Sequence, residues 1–157
     1  MVTTRSFLSG AKARIGVSLL FLLAAMACGG SSGTAVTSPI PTVTFTMAAM
    51  NGSGVTGTGQ VYKGAGSFIV SIQVHGLVAN SSHISHVHIG SCAKQGNVAY
   101  ALLQVVADSS GDATATSTVD EYYSLPPKGW YVNVHEGPDF SEADYAPSIS
   151  CGDLPPG

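Results

Sequence analysis

From residue 42 onward, apolar and polar positions alternate in short runs, and no stretch of useful length carries the 3.6-residue period of an amphipathic helix. The runs are rich in Val, Ile, Thr and Tyr, residues that suit a pleated, half-buried backbone. They predict about eight strands, over 42–49, 54–62, 67–77, 85–89, 99–107, 112–119, 129–135 and 148–152. Turn signals separate several of them, at Asn51-Gly52, Lys63-Gly64-Ala65-Gly66, Ala79-Asn80-Ser81-Ser82 and Asp108-Ser109-Ser110-Gly111. Short strands at this spacing predict an all-β antiparallel sandwich or Greek-key barrel. Segments 77–80 and 125–129 read as corners where Pro or Gly lets the chain leave a sheet. The longest irregular stretch is 136–147, and a loop of that length in a compact domain points to function.

Alternation also sorts the histidines. His86 and His88 stand two apart on one predicted strand, so they share a face, with Val87 and Ile89 on the other, toward the core. In Tyr131-Val132-Asn133-Val134-His135 the valines point inward, which leaves Asn133 and His135 on the outer face. Imidazole suits copper and zinc, and an H-x-H strand with a distant third His is a candidate metal site. Such a pair also serves as ordinary polar strand surface, so the spacing leaves both uses open. His83 has the parity of Val87 and belongs on the inner or edge side, hydrogen-bonded to backbone. His75 has no partner near it in sequence and reads as strand surface.

The first 27 residues belong to a different physical class. Arg5, Lys12 and Arg14 precede an apolar run over 15–27, too short for the roughly 20 residues of a membrane-spanning helix. This is the pattern of an export signal. Residues 28–41, small, polar and proline-bearing, read as a flexible tether, and 42–157 as the folded domain. From residue 28 on there are three Lys and nine Asp and Glu, a net charge of −6, which argues against nucleic acid as a partner. No feature names a protein partner. Of the three cysteines, Cys28 directly follows the signal in Ala25-Met26-Ala27-Cys28. It resembles the lipidated cysteine of bacterial lipoproteins, and Ala25-Met26-Ala27 reads equally as a cleavage site for soluble secretion. The expected location is the cell envelope, with membrane contact only through lipid on Cys28, or else secretion. Cys92 and Cys151 are then left to pair in an oxidising compartment.

Taken in order, these segments resemble the Cu/Zn superoxide dismutases. Ser82-His83-Ile84-Ser85-His86-Val87-His88 is similar to that family's H-x-x-H-x-H strand, with Cys92 where its first disulfide cysteine falls. The segment 107–113 is similar to its A-D-x-x-G-x-A hairpin, Val134-His135-Glu136 to its last copper histidine, and Ser150-Cys151-Gly152 to its second disulfide cysteine. Tyr131–His135 also resembles the Y-V-N-V-H strand of bacterial CHRD (chordin-type) domains. Both resemblances imply an immunoglobulin-like Greek-key β-sandwich. They imply three copper ligands, His86, His88 and His135, and one copper ion as cofactor.

The departures define what is left of that chemistry. Only residues 93–97 separate Cys92 from the next strand, so the bridging histidine and the zinc loop of the dismutases are absent. Their last zinc ligands would fall near Val98 and Ala101, and no zinc is expected. Ser148 stands where those enzymes carry an arginine that attracts superoxide. Glu136, Asp139, Glu142 and Asp144 follow His135, a field that repels anions and draws in cations. Three functions therefore stay open. They are copper binding without a zinc site, a weak copper-only dismutase, and a metal-free CHRD-type interaction domain with Tyr122, Tyr123 and Trp130 as contacts. In the alternative reading of those aromatics they pack against Pro126-Pro127.

Overall fold

The computed structural model describes residues 41–157. The segments expected to be an export signal and a tether, and Cys28 with them, lie outside the described residues, except for Pro41. Ten strands follow one another: β1 (Val43–Ala49), β2 (Thr56–Lys63), β3 (Phe68–His75), β4 (Ser82–His83), β5 (Ser85–Ile89), β6 (Val98–Ala101), β7 (Val105–Val106), β8 (Ala113–Val119), β9 (Trp130–His135) and β10 (Ser148–Leu154). Eight form one antiparallel sheet in the order β6-β5-β9-β10-β1-β2-β3-β8, and β4 pairs with β7. The long sheet folds over on itself as two layers, β1-β2-β3-β8 and β6-β5-β9-β10. They are joined where Ala48 and Ala49 of β1 meet Cys151 and Ser150 of β10. The result is the Greek-key sandwich, closed almost to a barrel, that the alternation predicts.

The alternation explains the core. On β3, Phe68, Val70, Ile72 and Val74 are buried, while Ser71 and Gln73 between them face outward. Facing them from the other layer are Val87 of β5 and Trp130, Val132 and Val134 of β9. Phe68 is fully buried, stacked on Trp130 at 5.7 Å and edge-on to Tyr100 and Tyr123. One glycine is fixed by this packing. Gly59 lies directly across from Phe45, whose ring occupies the space a Cβ would take.

Three expectations change and one open alternative is decided. The strand predicted over 99–107 is broken, since β6 pairs with β5 and β7 with β4. Its apolar run hid a crossing between sheets. There the Leu102 N–H bonds to the Ser85 carbonyl and the Leu103 N–H to Ser117 Oγ. Ile89 is 37% exposed rather than in the core. The β5–β6 register shifts just before it, and the chain turns away at Gly90 (φ 121°). Of the two readings of the aromatics, packing holds for Trp130 and Tyr123, which surround Phe68, while Tyr122 is exposed. Finally, the outer face of β9 is not solvent-facing, because all six of its residues are buried.

Candidate metal centre

That doubly covered strand positions the site. In β5 and β9, His86 pairs across from Asn133 and His88 from Tyr131, while Ser85 pairs with Val134. Every second side chain therefore rises on the same side, and His86, His88, Asn133 and His135 meet above the β5–β9 seam. The ring centroids of the three histidines lie 5.6, 5.4 and 5.8 Å apart. One nitrogen from each lies within 4.8 Å of the others. Among the described residues this is the one group of three or more His, Cys, Asp or Glu placed to hold a metal ion, and it contains no carboxylate.

The hydrogen bonds set the tautomers. His88 Nδ1 lies 2.9 Å from the Gly96 carbonyl and His135 Nδ1 lies 2.7 Å from the Ala146 carbonyl. A carbonyl only accepts, so each Nδ1 carries the proton and each Nε2 keeps a lone pair. His88 Nε2 and His86 Nδ1 are buried without any partner. An unpartnered buried acceptor is costly, by about 1–3 kcal/mol. A cation coordinated by these lone pairs would satisfy them together, so the donor set fits a metal. Backbone carbonyls orienting the far side of the His88 and His135 rings are the usual outer support of a metal-binding imidazole.

Electrostatics agrees. Burial, followed by the neighbouring His135 and His88, pushes the His86 pKa down from 6.5 to about 4. Burial also lowers that of His135, opposed by its bond to Ala146 and aided by His88. Both are therefore neutral at pH 7, the form that ligates. A stability prediction follows for the metal-free protein. Unfolded, the His86 ring takes up its proton near pH 6.5, whereas the folded ring resists until about pH 4. Between these values the unfolded state binds more protons, so stability falls as pH drops through that window and levels off below it. Unfolding curves at stepped pH, with and without His86→Gln, check this. An equal slope in both proteins rules it out.

The remaining predicted residues fall as follows. Asn133 is 1% exposed, with Nδ2 at 2.6 Å from Ser148 Oγ and 3.5 Å from His135 Nε2. Its Oδ1 is buried without a partner. Ser148, where the dismutases carry arginine, thus forms part of the site floor. Glu136 is exposed, and its backbone N–H bonds to the Pro147 carbonyl. His83 is buried, as its parity implies, and its Nδ1 donates to the His135 carbonyl at 2.9 Å. His75 is exposed and bonds to Asp112 at 2.8 Å, away from the cluster. Cys92 and Cys151 are joined by a disulfide. Two aromatic neighbours escaped sequence reasoning. Tyr131 stacks on His88 at 5.0 Å, and Phe140 stacks on His86 at 5.7 Å and meets His135 edge-on at 5.0 Å. Tyr131 shares the parity of Asn133 and His135, which was the available signal. Nothing in the sequence places Phe140.

Comparison with protein-family models and with curated proteins finds no match. Solved structures do match. A SOD-like protein from Bacillus subtilis aligns over 71% of this chain and 97% of its own, with a TM-score of 0.56 and 14% identity. A single and a double mutant of that protein align equally well, over 96% and 95% of their chains. At that identity the likeness establishes the fold, a superoxide dismutase-like sandwich.

Proposed function

We propose that the chain is an extracytoplasmic copper-binding domain in which His86, His88 and His135 hold one ion without a zinc site. The observation that carries this reading is the convergence of one imidazole nitrogen from each of three histidines within 4.8 Å, in a cluster where His86 Nδ1 and His88 Nε2 are buried without a partner. All-imidazole ligation suits copper. Copper bound there would supply a cation for capture at the envelope or a one-electron centre. The exposed carboxylates of Glu136, Asp139, Glu142 and Asp144 raise the local concentration of cations and oppose superoxide, so binding ranks above dismutase activity.

The test is copper titration of the protein and of His86→Ala, read by metal analysis and EPR. The protein is expected to take up one copper per chain, with nitrogen hyperfine structure in the Cu(II) form. Affinity should fall in the variant beyond the roughly 100-fold at the upper end for outer-shell changes. Absence of binding in both oxidation states would move the assignment to a metal-free interaction domain. The envelope location rests on the sequence reading of Cys28. It is checked by fractionating cells that make Cys28→Ser, which should shift the protein from membranes to the soluble fraction. An unchanged distribution removes the lipid anchor.

A further inference from the structure

The two aromatic rings on the histidine cluster differ in kind. Tyr131 is buried in β9, and its hydroxyl accepts from the Gly96 N–H at 3.2 Å, so it belongs to the scaffold. Phe140 lies in the loop after β9 and is 55% exposed. It is the one large apolar side chain between Glu136 and Asp144, a stretch otherwise of acids and small residues. It is not part of the buried core. Its aromatic partners are two imidazoles, His86 lying flat against it (11° between planes) and His135 edge-on (82°). The backbone just before it is held, since the Ile84 N–H bonds to the Gly137 carbonyl and Gln104 Nε2 to the Pro138 carbonyl. A solvent-exposed phenyl gains nothing from water, so its place over these rings calls for a reason at the site.

We propose that Phe140 sets the metal specificity of the cluster, closing its loop side to a fourth ligand and so favouring Cu(I) over Zn(II). This rests on the three-histidine copper reading. The physical argument is coordination number. Zinc in a protein site takes four ligands, and with three imidazoles it needs a water or an anion for the fourth place. A phenyl ring has no lone pair to donate and excludes water from the space it fills. Monovalent copper is soft and accepts three ligands, so it loses least by this closure.

The experiment compares the protein with Phe140→Ala and Phe140→Tyr. Cu(I) affinity is measured anaerobically against a chromophoric chelator and Zn(II) affinity by competition, and azide is added to the Cu(II) form as a probe of an open position. Phe140→Ala is expected to shift the Cu(I)/Zn(II) affinity ratio toward zinc by roughly tenfold, the low end for outer-shell changes, and to let azide bind. Phe140→Tyr, which keeps the ring, should retain the original ratio and exclude azide. If the unaltered protein binds copper but the ratio and azide response are the same in all three, the inference on Phe140 fails and the copper site stands. Binding of neither metal by the unaltered protein overturns both.

Discussion

Replacing Cys92 and Cys151 together by serine is expected to lower the unfolding free energy by about 4 kcal/mol. The two residues are 59 apart in sequence, and a cross-link over that span removes a large part of the freedom of the unfolded chain. The effect on the folded side concerns the site. Cys151 lies in β10, directly across from Asn133, and is 1% exposed. Cys92 sits in the irregular segment between β5 and β6, where the disulfide is the covalent tie to β10 and the other ties are hydrogen bonds. They include the Gly90 N–H to the Gly129 carbonyl, the Ser91–Lys94 bridge, and the Cys92 N–H to Asp153 Oδ1 at 2.7 Å. The same segment carries the Gly96 carbonyl that orients His88. Loss of the cross-link should therefore weaken copper affinity as well as stability, and the loss should reach His88 first. Equilibrium denaturation gives the first quantity and chelator competition the second. A stability loss below about 1 kcal/mol would show that the unfolded chain is already restricted between these residues.

The fold was legible because its signals are local. Val70, Ile72 and Val74 alternate with polar residues, and so do Val132 and Val134 of β9, so the core face could be read two residues at a time. The same parity placed His86, His88, Asn133 and His135 on one side. Parity cannot say whether a face is wet. His88 and His135 are only 7% and 6% exposed because the segments carrying Gly96 and Ala146 close over them. Those contacts are between residues 8 and 11 positions apart through irregular backbone, where no periodicity operates. Phe140 is hidden for the same reason. Its position depends on how the loop returns over β9, and the Gln104 and Ile84 contacts that hold the loop come from other parts of the chain. The broken strand at Leu102 and Leu103 shows the opposite failure. There a run apolar except at Gln104 conceals a change of sheet, because both halves satisfy the same local pattern.

Phe68→Ala is expected to cost about 3–5 kcal/mol, comparable to the loss of the disulfide, yet to leave the donor set of the metal site unchanged. Phe68 has no exposure and stands in β3, in the layer opposite the histidines. Its ring fills the space between layers, against Trp130 of β9, Tyr100 of β6 and Tyr123. Removing it leaves a cavity bounded by three large rings, none of which can move in without leaving its own partners. Phe68→Leu should restore a good part of the loss by refilling volume. The Trp130 indole makes the change directly observable, since its fluorescence reports the altered packing as well as unfolding. The metal side of the prediction follows from β9 itself. Trp130, Val132 and Val134 face Phe68, while Tyr131, Asn133 and His135 face the cluster, so one strand separates the two regions. Copper affinity measured well below the midpoint of unfolding should stay within about threefold of that of the unaltered protein, the spread expected of independent sites. A large fall in affinity with the fold intact would mean that β9 transmits core strain to His135, and that the sandwich and the site are one mechanical unit.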